Sequence, residues 1–78
     1  MSPKLRSITA RELIRALEQD GWTWARARGS HRSYKKGNRV AVVPYHRPGA
    51  TFTAKTLARI LAATGWTDDD IRRLQLLK

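Results

Sequence analysis

The sequence predicts an α+β fold in which a helix, three antiparallel strands, a second helix and a short C-terminal helix follow one another in a two-layer sandwich. Three features carry that prediction. Capped helical periodicity marks both ends of the chain, period-two alternation marks its middle, and glycines punctuate the boundaries.

The first helix begins at Ile8-Thr9-Ala10-Arg11-Glu12-Leu13, with Thr9 as its cap, Glu12 reaching back to Thr9, and Ile8 stapled against Leu13. Leu13, Ile14 and Leu17 then recur at helical spacing, and Asp20-Gly21 supplies a left-handed stop. Residues 22–28 alternate, which predicts Trp22, Trp24, Arg26 and Arg28 on one strand face, turning from aromatic to basic. After Gly29, residues 30–35 form a second strand, and Lys36-Gly37-Asn38 turns the chain into a third, Arg39-Val40-Ala41-Val42-Val43, which Pro44 ends. Residues 45–50 read as a loop. Thr53 caps a helix carrying Leu57, Ile60 and Leu61 that closes at Gly65. Thr67-Asp68-Asp69-Asp70 opens the last helix, with Ile71, Leu74 and Leu77 inward and the acids at its positive end. With no repeat, linker or low-complexity tract, residues 1–78 read as a single domain.

Seventy-eight residues hold 16 Lys and Arg against 6 Asp and Glu, a formal charge of +10 with a pI near 11.4. A chain this short buries only roughly 60% of its unfolded surface, so any chemistry belongs near the surface rather than in a deep cavity. Hydrophobic content of 41% with three Trp argues for a packed fold. The charge therefore rides on a folded surface, and Arg-rich cationic surfaces suit polyanions, because guanidinium matches phosphate in a bidentate fork. Nucleic acid is the expected partner. Without Cys there is no disulfide, thiolate nucleophile or cysteine-ligated zinc, and a reducing cytoplasm is the expected location. No apolar run approaches the ~20 residues of a bilayer span and the first residues lack a signal-peptide core, so no membrane association is expected.

The candidates for chemistry are few. A Ser-His-Asp triad is disfavoured, since every acid is assigned to a helix end or helix surface. Asp68, Asp69 and Asp70 point about 100° apart on a helix and read as capping residues rather than a Mg²⁺ site. Two His without Cys or paired carboxylates do not make a zinc site. The expectation is a protein with no cofactor and no metal. His31 follows Gly29-Ser30, where glycine permits close approach of another backbone, and cations flank it on both sides. Imidazole exchanges protons near neutral pH, so His31 could take a proton from a ribose 2′-hydroxyl or give one to a departing 5′-oxygen. Gly-Ser-His alone also fits an ordinary strand histidine. Ser30 reads mainly as a turn-former through its hydroxyl. His46 would orient phosphate or share acid–base work with His31, or simply pack its loop. Arg26, Arg28, Arg32, Lys35 and Arg47 are the expected phosphate contacts.

Several of these segments, in their order and spacing, resemble the HicA family of bacterial toxins, small mRNA interferases of type II toxin–antitoxin systems with a double-stranded-RNA-binding-domain-like fold. The resemblance spans most of the chain. It rests on Leu17-Glu18-Gln19-Asp20-Gly21-Trp22, Arg28-Gly29-Ser30-His31, the following hairpin, Val43-Pro44-Tyr45-His46, and Thr56-Leu57-Ala58-Arg59-Ile60-Leu61 with Thr64-Gly65-Trp66. It implies an endoribonuclease with His31 as the catalytic residue and a HicB-type antitoxin as partner. Where many members have Gly-Thr before the second helix this chain has Lys55-Thr56, which adds a cation beside a helix N-terminus suited to phosphate. A non-catalytic RNA-binding module, needing only this fold and a basic face, is the main alternative. A domain whose basic face meets an acidic protein is the other.

Overall fold

A computed structural model describes residues 7–76. The order is α1 (Ala10–Gln19), β1 (Thr23–Arg28), β2 (His31–Lys36), β3 (Arg39–Pro44), α2 (Ala54–Thr64) and α3 (Asp68–Arg73), the α+β layout expected from the sequence.

Local chemistry sets the helix ends. Thr9 Oγ1 accepts from the Glu12 amide at 3.2 Å while Glu12 Oε1 accepts from the Thr9 amide at 3.0 Å, completing a capping box. Ile8 and Leu13 are both buried in the core. At the other end Gly21 takes φ +88°, its amide donates to Glu18 O, and the Trp22 amide donates to Leu17 O. Those two bonds form a Schellman turn, and they direct Trp22 into the core beside the helix it terminates. Because Trp22 belongs to this turn, β1 starts at Thr23 rather than Trp22. Thr53 caps α2 and Gly65 closes it with φ +71°.

The sheet has the order β1-β2-β3, antiparallel throughout. Both connections are two-residue turns, Gly29-Ser30 and Gly37-Asn38, with the glycine first and at φ +58° and +61°. Glycine first with positive φ is the requirement of type II′ hairpins, whose twist matches that of the strands. Ser30 thus lies in the turn and β2 starts at His31. Pro44 is the last residue of β3 rather than the residue beyond it, a place an edge strand tolerates.

Register divides the side chains between two faces. Tyr34 pairs with Ala41 and Arg32 with Val43, and this inner face contributes Tyr34, Ala41 and Val43 to a core shared with Leu13 and Leu17 of α1, Leu57 and Ile60 of α2, and Ile71 of α3. His31 pairs with Arg28 and Pro44, and Ser33 with Arg26 and Val42, on the outer face. The single aromatic-to-basic face expected for β1 is not what forms. The register shifts between Trp24, opposite Tyr34, and Arg26, opposite Ser33, so Ala25 is an extra, bulged residue. Trp24 therefore falls on the inner side of the sheet, where it stays 58% exposed, while Arg26 and Arg28 fall on the outer side and Trp22 leaves the strand altogether.

The final helix is shorter than its leucine spacing suggests. Thr67 and Asp70 form a second capping box, but Gln75 adopts φ +61° and the Leu76 amide donates to Ile71 O. That reversal puts Leu76 in the core after Ile71 and Leu74. Leu77, the residue expected there, lies outside the described residues.

Candidate functional site

Two hydrogen-bonded anchors hold the loop after β3, one to the first hairpin and one to the start of α1. The Tyr45 amide donates to Ser30 O at 2.6 Å, which ties the residue before His31 to the residue before His46. Farther along, Pro48 O and Ala50 O accept from the Arg11 and Ala10 amides at 3.0 and 2.8 Å. These are N-terminal helix donors that α1 itself cannot satisfy. A third contact fixes the ring at the loop's start: the Arg32 guanidinium carbon sits 3.7 Å from the Tyr45 ring centroid, a cation–π stack. His46 and Arg47 thus project, exposed, from a braced loop beside the His31 hairpin.

His31 occupies the first position of β2, exposed, on the outer face, directly across from Arg28 and from Pro44. Its imidazole has no hydrogen-bond partner among the described residues, so both nitrogens are open to a substrate. It lines a groove of about 200 Å³ between β3 and α2, with Val42 and Pro44 beside it and Thr56, Arg59 and Ile60 opposite. Arg26 and Lys35 lie farther along the same face, around a hollow that shares Val40 with the groove. Between Gly21 and Thr67 the sequence has no Asp or Glu, so every charged side chain of the sheet and of α2 is a cation. Among the described residues no three His, Asp or Glu side chains gather as a metal site.

The structure brings together, on one face, His31, Arg26, Arg28 and Lys35, with Ser30 at the adjoining turn. Lys55 is exposed in the first turn of α2, one residue before groove-lining Thr56. Arg32 does not join them. One residue after His31 it faces the other side of the sheet, half-buried and stacked on Tyr45. Arg59, Val40 and Val42 are groove residues that sequence reasoning passed over. A signal for the valines was available: five consecutive residues of β3, Val40-Ala41-Val42-Val43-Pro44, are apolar, although a strand with one solvated face needs apolar residues only at alternate positions.

One acid has a structural task that its position in the chain conceals. Asp20 lies at the C-cap of α1 with its side chain 13% exposed. Oδ2 accepts from Trp66 Nε1 at 2.7 Å and Trp22 Nε1 at 3.2 Å and pairs with Lys36 Nζ at 3.2 Å, while Oδ1 accepts from Arg73 at 2.8 Å. Burial alone raises its pKa, but the bonds donated by Trp66, Arg73, Lys36 and Trp22 outweigh that and hold the carboxyl well below the usual carboxylate range. This one carboxylate joins α1, the end of β2, the α2–α3 turn and α3.

Fold and surface together define a small α+β protein of double-stranded-RNA-binding-domain-like layout that presents a cationic sheet face with an open histidine at its edge. The model of the HicA toxin of bacterial toxin–antitoxin systems matches residues 10–66, from the first residue of α1 to the tryptophan that binds Asp20. The chain belongs to the HicA toxin family. No curated protein matches it. No helix among the described residues is long and apolar enough to cross a membrane.

Proposed function

We propose that this toxin is a cytoplasmic endoribonuclease that cuts mRNA without a metal or other cofactor, with His31 as its catalytic acid or base, and that a HicB-type antitoxin neutralises it. The observation that carries this reading is the position of His31: exposed, free of protein hydrogen bonds, paired across the hairpin with Arg28, and on a face whose charges are all positive. A phosphodiester held by Arg28 lies beside the imidazole. Arg26, Lys35, Arg47 and Lys55 extend the contact along the backbone, and Arg59 adds a cation that faces His31 across the groove. Arg32 supports the site by bracing Tyr45, and Ser30 by forming the turn.

RNA carries its own nucleophile. In the transesterification the 2′-oxygen bonds to the neighbouring phosphorus as the bond from phosphorus to the 5′-oxygen breaks. The 2′-hydroxyl proton leaves and the 5′-oxygen gains one. His31 performs one of these transfers, and His46, on the braced loop nearby, is the candidate for the other. Arg28 offsets charge on the non-bridging oxygens. The antitoxin's task is then to cover this shallow face, and a +10 surface favours an acidic partner for it.

The test is single-turnover cleavage and gel-shift affinity of wild type, His31→Ala and His46→Ala, each checked by circular dichroism. His31→Ala should lose about 10²- to 10⁴-fold in rate with nearly unchanged RNA affinity, and His46→Ala should lose less. Full cleavage by folded His31→Ala removes the assignment. A wild type that binds RNA and never cuts it is an RNA-binding module instead.

A further inference from the structure

The groove beside His31 is apolar where the rest of the outer face is cationic. Val40 and Val42 are 47% and 46% exposed, and with Trp24 they are the large hydrophobic side chains left most open to solvent among the described residues. Val42 and Ile60 face each other across the groove, Ala63 adds to the α2 side, and the ionisable groups on its walls are His31 and Arg59 alone. Valine suits a strand, but two same-face valines left half exposed beside Ile60 and Ala63 form one apolar patch that an occupant would cover.

We infer that this groove holds one unstacked base of a single-stranded RNA, the base next to the phosphate at His31. The inference rests on the RNA-directed reading above, and three observations select a base as occupant. At about 200 Å³ the groove is smaller than the ~300–1,000 Å³ sites of drug-sized ligands, a size suited to a single ring system. Its apolar walls match the faces of a base, which proteins hold between aromatic or apolar side chains once it leaves the stack. The cations around it, Arg28 across from His31 and Lys55 one residue before Thr56, match the phosphates on either side of that base, and no carboxylate lines the groove. The groove also has donors for a base edge. Thr56 Oγ1 accepts from Thr53 Oγ1 at 3.0 Å, which leaves its own proton to donate, and Arg59 supplies N–H groups. These donors suit a base edge that presents adjacent acceptors, such as the O6 and N7 of guanine. A continuous duplex keeps its bases stacked and does not fill the groove.

Fluorescence anisotropy of short single-stranded RNAs, each with one abasic position, reads the groove without requiring cleavage. The probes carry 2′-O-methyl riboses, which removes the nucleophile and keeps them intact. For wild type, one abasic position should weaken binding about tenfold or more while the others change it little. Ala63→Phe fills the groove and should bind intact RNA as weakly as wild type binds that abasic probe, with no further loss from the abasic site. Val42→Ser, at an exposed position, should reduce the same positional effect and covers the case in which Ala63→Phe does not fold. Equal losses at every abasic position overturn the inference, as does unchanged binding by both variants. Absence of RNA binding overturns it too. Position-dependent binding by a wild type that never cuts RNA supports the groove while refuting the ribonuclease. Cleavage of unmodified RNA without positional dependence in these probes does the reverse.

Discussion

Asp20→Asn is the substitution that separates a structural carboxylate from its charge while keeping its shape. Four donors converge on Asp20: two indole N–H groups, an ammonium and a guanidinium. The asparagine retains one oxygen and replaces the other with an amide that points its own hydrogens at those donors. Lys36 and Arg73 are about half exposed and can return to water. Trp22 is 3% exposed, and its indole N–H cannot do so. The loss is therefore dominated by the indoles, at ~1–3 kcal/mol for each buried donor left unpaired, and we expect about 2–4 kcal/mol in all. For a domain of this size that lowers Tm by roughly 10–25 °C. Urea denaturation followed by tryptophan fluorescence and circular dichroism at neutral pH should show a lower midpoint with an unchanged slope. The pH dependence supplies a second readout. Since the folded pKa lies below the unfolded value of about 3.9, the stabilisation is complete above that value and drains away as acid titrates the folded carboxylate. Wild type should lose stability below about pH 4, and Asp20→Asn should lose visibly less over the same range. An unfolding free energy within ~0.5 kcal/mol of wild type, or parallel acid limbs in the two proteins, would refute the account of Asp20 as a hub.

Other expectations follow from the same geometry. Cleavage should survive EDTA, and loss restored by added Mg²⁺ on a pre-folded RNA overturns the metal-free mechanism. RNA affinity measured from 50 to 200 mM salt should fall steeply and linearly on a log–log plot, and a flat plot removes the cationic face as the source of binding. Gln75→Gly should raise the unfolding free energy by about 0.5–1 kcal/mol, read as a higher urea midpoint, by relieving a left-handed backbone, whereas Gln75→Val should lower it, and the reverse order refutes the strain at that turn.

The parts of the fold legible in the sequence are those fixed over short distances. Thr9 and Glu12 form a cap three residues apart, as do Thr67 and Asp70, and glycine at the first turn position sets each hairpin within four residues. Features that depend on how elements meet were not legible. Ala25 bulges only in relation to β2, so strict alternation misplaced Trp24 and the arginines relative to one another. The partners Trp66 and Arg73 lie 46 and 53 residues from Asp20, and nothing local marks them. For the candidate site, His31 stood out through Gly29-Ser30, while Arg59 entered only because α2 lies along β3. Arg32 looked equivalent to Arg28 in sequence, yet one residue of displacement turned it toward Tyr45.

The bulge at Ala25 also means that β1 works as a selector. Side chains alternate across a strand, so Trp24 and Arg26, two residues apart, would share a face in a regular strand, and the extra residue between them sends them to opposite faces. In an unbulged register Trp24 would lie in line with Arg26 and Arg28 beside His31, exchanging a purely electrostatic rim for one with a stacking platform. Because β1 is an edge strand whose residues are all exposed, the bulge sorts its side chains without disturbing the core leucines. One additional residue thus decides what the sheet presents to its surroundings while the protein beneath it stays the same.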